Sequence, residues 1–135
     1  MGLPYRDLVV WKKAMMLARE VYRRAPKLPR EETYGMRSQL TRAAVSIPSN
    51  IAEGWSRETG RDRAHFLAIA HGSLAEAETL LTLCEEIGWF SATDTQTLHF
   101  LLSEVGKILG ALRHRLRSRL TPKLGPKSWV LSPKS

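Results

Sequence analysis

The chain has 135 residues, 43% apolar and 25% charged, the balance of a single globular domain with one core. No apolar run approaches the roughly 20 residues that span a bilayer, and Met1 to Arg6 lacks the layout of a secretory signal, so a soluble cytoplasmic protein with no membrane partner is expected. The one cysteine, Cys84, cannot close an intrachain disulfide, and a formal net charge of +8 with a pI near 10.2 points to a polyanionic partner.

Apolar spacing predicts four helices. The first runs from about Leu8 to Arg24, with Leu8, Trp11, Met15, Ala18, Tyr22 and Ala25 recurring at steps of three and four along one face. Asp7 is its expected N-cap, and Pro26 and Pro29 close it. The second begins near Arg30 and carries the stripe Met36, Leu40, Ala43, Ile47, Ile51 and Trp55. Pro48 interrupts it, but the stripe keeps its phase, which predicts a kink rather than a break. Gly60 separates a third helix, about Asp62 to Ile87, with the stripe Phe66, Ile69, Ala70, Ser73, Ala77, Leu80, Cys84 and Ile87. Gly88 is its natural left-handed stop.

The fourth helix starts near Ala92, capped by Ser91 or Thr93, and follows Leu98, Leu101, Val105, Ile108, Leu112 and Leu116 to about Leu120, before Pro122. Beside that stripe lie Leu102 and Leu109 with Gly106 and Gly110, glycines that each cost about 1 kcal/mol of helix propensity relative to alanine. Close approach of another helix, within the chain or from a second copy, would offset that cost. No segment alternates with period two. The expected fold is all-α: an antiparallel up-down-up-down four-helix bundle over 1–120, then an extended Pro/Ser/Lys tail over 121–135. Within the tail, Trp129-Val130-Leu131 suits docking, either on the chain's own bundle or on a partner.

The charge is unevenly placed. Residues 1–104 hold 13 Lys/Arg and 13 Asp/Glu, so the whole excess comes from eight Lys/Arg and no acid in 105–135. Lys107, Arg113, Arg115, Arg117 and Arg119 are the candidate nucleic-acid-binding residues. Arg113 and Arg117 lie one turn apart on one flank of helix four, and Arg115 and Arg119 on the other, a phosphate-tracking surface. Two such arginines would serve the helix dipole alone; four without an acid exceed that need. Lys12, Lys13, Arg19, Arg23 and Arg24 on helix one are candidates to extend the patch.

Other sites read as structural. Ser46, Ser49 and Asn50 can hold a ligand, but they also suit the carbonyls freed by Pro48, or one another. Glu53 and Glu76 suit ion pairs with Arg42 or Arg63. His65, His71, His99 and His114 have no metal-ligand spacing, and Asp62-x-x-His65 stands alone where a di-metal bundle needs paired Glu-x-x-His. Cys84 lies on an apolar stripe. With no nucleophile–base pattern or phosphate loop, the chain is expected not to be an enzyme and to need no cofactor or metal.

Two blocks carry a family resemblance: Ser46-Ile47-Pro48-Ser49-Asn50-Ile51-Ala52-Glu53-Gly54 and Phe66-Leu67-x-Ile69-Ala70-x-Gly72-Ser73-Leu74-x-Glu76. With Tyr5-Arg6-Asp7-Leu8-Val9-Val10-Trp11, Tyr34-Gly35-Met36, Gln39-Leu40 and Arg42-Ala43, they resemble the bacterial ribosomal intervening-sequence proteins over about residues 5–118. Genes of that family lie in intervening sequences of some large-subunit ribosomal RNA genes. The resemblance implies a ring-forming four-helix bundle, often a pentamer. It also implies kinship with the accessory variability determinant proteins of diversity-generating retroelements, basic pentamers that bind nucleic acid and a reverse transcriptase. Glu104-Val105-Gly106-Lys107-Ile108-Leu109-Gly110 is similar to a stretch of that relative.

Two functions follow as expectations. The first is a homo-oligomeric, ring-like, pentameric binder of RNA or DNA with low sequence specificity, serving a ribonucleoprotein, a ribosome component or a reverse transcriptase. The second is a scaffold for a protein partner with no direct nucleic-acid role.

Overall fold

Helices α1 (Val9–Arg24), α2 (Met36–Trp55), α3 (Gly60–Ile87) and α4 (Ala92–Leu120) account for most of residues 4–120, the part of the chain that this computed structural model describes. A short 3-10 turn at Tyr5–Asp7 precedes α1, two more at Ala25–Lys27 and Arg30–Glu32 lie between α1 and α2, and no strand occurs among the described residues. Trp129-Val130-Leu131 and the rest of the expected tail lie outside the described residues. Each of α1 and α3 packs against α2 and α4, with no diagonal contact. Ser46 meets Ser73, Glu85 meets Thr95 and Lys13 meets Glu104. Gly54 lies beside Phe66 farther along α2–α3, Gly60 beside Leu120 farther along α3–α4, and Arg24 beside Asp94 farther along α1–α4, so in these three pairs the contacts run in opposite chain directions within a four-helix bundle.

The core is one cluster. Its fully buried members include Leu17, Leu40, Ile47, Ile51, Leu67, Leu81, Leu98 and Leu109. Burying each such side chain contributes about 1.5–3 kcal/mol, which is why apolar spacing dominates helix placement. In α2 and along the main stripe of α4 the buried faces follow the predicted stripes closely.

Elsewhere the structure corrects the sequence reading. In α1 the buried face is Val10, Ala14, Leu17, Ala18 and Val21, so the expected stripe is rotated. Trp11, Met15 and Tyr22 instead line an open groove between α1 and α2. Helix α1 has two apolar faces, and the aromatic one is not the core. Asp7 does not cap α1; it sits in the preceding 3-10 turn, and Leu8 holds the N-cap position without a side-chain bond. In α3, Leu67, Leu74 and Leu81 are buried while Ile69 and Ile87 are exposed. Gly60 opens α3 rather than separating it, and Thr59 Oγ1 caps the helix by accepting from Asp62 N at 3.1 Å.

The start of α2 also moves. Arg30–Glu32 forms its own 3-10 turn, and the helix begins at Met36, whose N–H donates to Glu32 Oε1 at 2.9 Å. Helix α2 runs unbroken through Pro48. Helix α4 begins at a reciprocal cap: Asp94 N donates to Ser91 Oγ at 3.1 Å, and Ser91 N to Asp94 Oδ2 at 3.0 Å. Gly88 closes α3 with a φ of 93°, a left-handed stop that glycine adopts without steric cost.

The second apolar line of α4 is resolved in favour of packing within the chain. Leu102 and Leu109 are buried in the core. A Cβ placed on Gly106 would stand 3.4 Å from Leu74 Cδ2, whereas one on Gly110 would meet nothing within 4 Å. Thus α4 offers no spare leucine seam for a second copy.

Candidate nucleic-acid interface

Folding α3 and α4 back to back about Gly88 places residues equidistant from the turn side by side. The start of α3 therefore lies against the end of α4: a Cβ on Gly60 would stand 3.4 Å from Leu120 Cδ2. Arg113 and Arg117, one turn apart, face that start. With Arg61, Ala64 and His65 of α3 they line a recess of about 300 Å³. Arg115 and Arg119 are exposed on the other flank of the same end. Lys107 is exposed but stands two turns before this cluster, about 9 Å up the axis from Arg113.

Arg61 and His65 were not among the sequence candidates. The signal that would have found them is the hairpin turn at Gly88, which fixes which α3 residues lie beside the α4 arginines. The α2–α3 corner adds two more guanidinium groups. Arg57, just past the end of α2, pairs back with Glu53 and lies 4.7 Å over the Phe66 ring. Arg63 lies 4.8 Å over the Trp55 ring and donates from Nε to Arg57 O at 3.0 Å. Aromatic faces thus help to hold these arginines in place.

Most of the α1 cations do not extend the patch. Lys13 pairs with Glu104 at 3.3 Å, Arg23 pairs with Glu20, and Arg24 pairs with Glu20 at 3.1 Å while donating from Nε to Asp94 O at 2.8 Å. Lys27 reaches Asp94 Oδ1 at 2.5 Å. Asp94 opens α4, so this clasp lies at the opposite end of the bundle, about 30 Å from Arg115 along the helix. Lys27, with the Ser91 bonds, holds the Asp94 carboxyl down to about 2. Glu85 is also held below its usual value, first by the Thr95 hydroxyl and then by His99, whose Nε2 lies 3.1 Å from both carboxylate oxygens.

The small polar residues of the first family block serve the α2–α3 seam. Asn50 Nδ2 donates to Ser46 O at 2.8 Å and to Ser46 Oγ at 3.0 Å, and Ser46 Oγ shares a 2.7 Å hydrogen bond with Ser73 Oγ. The Ser46–Ser73 bond crosses the seam, and Asn50 braces Ser46 within α2. Ser49 instead borders the α1–α2 groove, a channel of about 550 Å³ whose walls include Tyr5, Trp11, Met15, Tyr22, Val45 and Pro48. Burial pushes the Cys84 thiol up to about 11, which leaves it protonated and unreactive. Among the described residues, no group of three His, Cys, Asp or Glu side chains is placed to hold a metal, and no helix is long and apolar enough to cross a membrane.

The family model for 23S rRNA-intervening sequence proteins matches residues 6–111. The fold is similar to that of a crystallised protein of unknown function from the S23 ribosomal protein family of Bacteroides thetaiotaomicron. That likeness has a TM-score of 0.72 at 24% identity, covering 78% of this chain and 98% of the other. No curated protein matches the chain.

Proposed function

Because the chain belongs to the 23S rRNA-intervening sequence protein family, we propose that it is a non-enzymatic binder of RNA or DNA that engages phosphates with the α3–α4 end of its bundle. One observation carries this reading: Arg61 and His65 of α3 and Arg113 and Arg117 of α4 line one recess, and Arg115 and Arg119 stand on the other flank of an α4 that has no acid after Glu104. Contacts of this kind track the backbone and confer little sequence preference. The family's name ties its members to a ribosomal RNA gene, which favours RNA and a ribosome component as partner. Service to a reverse transcriptase rests on the resemblance to retroelement accessory proteins.

The finer part of the proposal is a homo-oligomeric ring, a pentamer by that resemblance. Its support within the chain is the α1–α2 groove, an open apolar surface with three aromatic walls, together with exposed Phe100 on α4. The same groove favours the second reading, a scaffold that docks a protein partner.

A salt titration separates the two. Affinity for RNA should fall linearly on a log–log plot, with a slope of about 0.7 per phosphate neutralised on a single strand and about 0.9 on duplex DNA. Replacing Arg113, Arg115, Arg117 and Arg119 together by Gln should flatten that slope and leave the circular dichroism unchanged, since these side chains flank the core stripe. A quadruple variant that binds as tightly as the parent at every salt concentration would remove this end as the site and put the scaffold reading first.

A further inference from the structure

We propose that the α3–α4 recess seats a terminal phosphomonoester, the phosphorylated end of a nucleic-acid strand. The inference rests on the nucleic-acid reading above and specifies which part of the polymer the recess takes. Its donors come from two helices rather than one: Arg61 and His65 from α3, Arg113 and Arg117 from α4, around about 300 Å³ of space. A phosphate end presents three free oxygens and nearly two negative charges. Planar guanidinium forks bind such a group bidentately. An internal phosphodiester has two free oxygens and a single charge, and both of its sugars must pass the site. Cationic side chains from two helices around a recess fit the end group, whereas the exposed flank of Arg115 and Arg119 fits a passing strand.

Three details shape the recess. Ala64 is smaller than the arginine and histidine side chains that line the recess with it, so it leaves the space open. The His65 ring stands edge-on to Phe66, with centroids 5.2 Å apart at 77°, and Arg57 covers the Phe66 ring, so the imidazole has a fixed support. The recess also lies beside the first turns of α3, where the helix dipole favours an anion. The acids nearest in sequence, Glu58 and Asp62, line none of it.

The test compares 3′-labelled RNA oligonucleotides of one sequence bearing a 5′-phosphate or a 5′-hydroxyl, by fluorescence anisotropy with the full chain. The phosphorylated end should bind about tenfold tighter, the effect of one further set of charge-assisted hydrogen bonds. Ala64→Leu fills the recess and keeps every charge. It should abolish the preference for the 5′-phosphate while leaving the salt slope for the 5′-hydroxyl strand unchanged. Arg61→Gln with His65→Gln should abolish it too, and Arg115→Gln with Arg119→Gln should retain it. Thermal melting followed by circular dichroism checks that each variant folds. Equal affinity for the two ends, with a steep salt slope, would overturn the end-group seat and leave the nucleic-acid reading standing. Absence of binding to either strand at low salt would remove both. Adenosine 5′-monophosphate distinguishes a free nucleotide from a strand end: displacement of the phosphorylated RNA at an equal concentration would overturn the strand end as the ligand.

Discussion

Gly54→Ala sets two known magnitudes against each other. Alanine is worth up to about 1 kcal/mol over glycine inside a helix, and less in a last turn. Gly54 lies in the last turn of α2 without a positive φ, so nothing in its own backbone opposes the change. The opposition comes from α3. A Cβ at this position would stand 2.9 Å from Phe66 Cβ and 3.2 Å from Arg63 O. The first distance is shorter than side chains tolerate, and both atoms are tied to the α3 backbone, so the helix itself must shift. Overpacking of this kind costs about 1–3 kcal/mol. The net expectation is a loss of about 1 kcal/mol, or about 3–6 °C in Tm for a domain of this size. Gly110→Ala is the matched control. The full interior propensity gain there meets nothing within 4 Å, so it should raise Tm by about 3–6 °C. Thermal melts followed by circular dichroism read both. If Gly54→Ala stabilises as much as Gly110→Ala, the close approach of α2 and α3 at this corner is not real.

The remaining predictions concern acid and assembly. Asp94 and Glu85 have folded pKa values below their unfolded ones, so their contribution is complete above the usual carboxylate range and is lost as pH falls through the folded values, about 2 for Asp94. Tm should therefore drop between pH 5 and pH 2.5, and less so in Asp94→Asn; an equal drop in both would deny the clasp with Lys27 any role. For assembly, multi-angle light scattering at micromolar concentration should give a mass several times the 15.3 kDa of one chain, and Trp11→Glu in the groove should lower it. A parent that runs as a monomer would refute the ring.

The sequence placed the helices and misplaced some of their faces, and both outcomes have physical causes. The end of α3 and the span of α4 were legible because the signals are local: Gly88, the Ser91 cap and the apolar repeat of α4; the start of α2 was not, because Arg30–Glu32 forms a separate 3-10 turn. The α1 face was misread because Trp11, Met15 and Tyr22 have the same period as Val10, Ala14, Leu17 and Val21, and are bulkier. Size favoured the aromatic stripe, while burial followed the neighbours that α2 and α4 supply. Leu102 and Leu109 looked surplus for a related reason: α4 is buried over a wider arc than one stripe describes. In the candidate site, the α4 arginines were visible as a run without acids. Their α3 partners Arg61 and His65 were not, because no periodicity within one helix reports what a hairpin brings beside it.

The Ser46–Ser73 pair acts as a register mark for the α2–α3 seam. Small and aliphatic side chains flank it, including Ala43, Ile47, Ala70, Leu74 and Ala77, all buried. Sliding α3 one turn along α2 would present Ala70 or Ala77 where Ser73 stands, and such a seam would repack with little loss of apolar area. The buried Ser73 hydroxyl would then be stranded, at a cost of about 1–3 kcal/mol. An all-alanine seam would tolerate both alignments, and the Arg57 and Arg63 corner between α2 and α3 would then have more than one arrangement. One hydrogen bond of 2.7 Å near mid-bundle therefore helps to fix which α3 residues meet the end of α2, where Arg63 lies over Trp55 and Arg57 over Phe66.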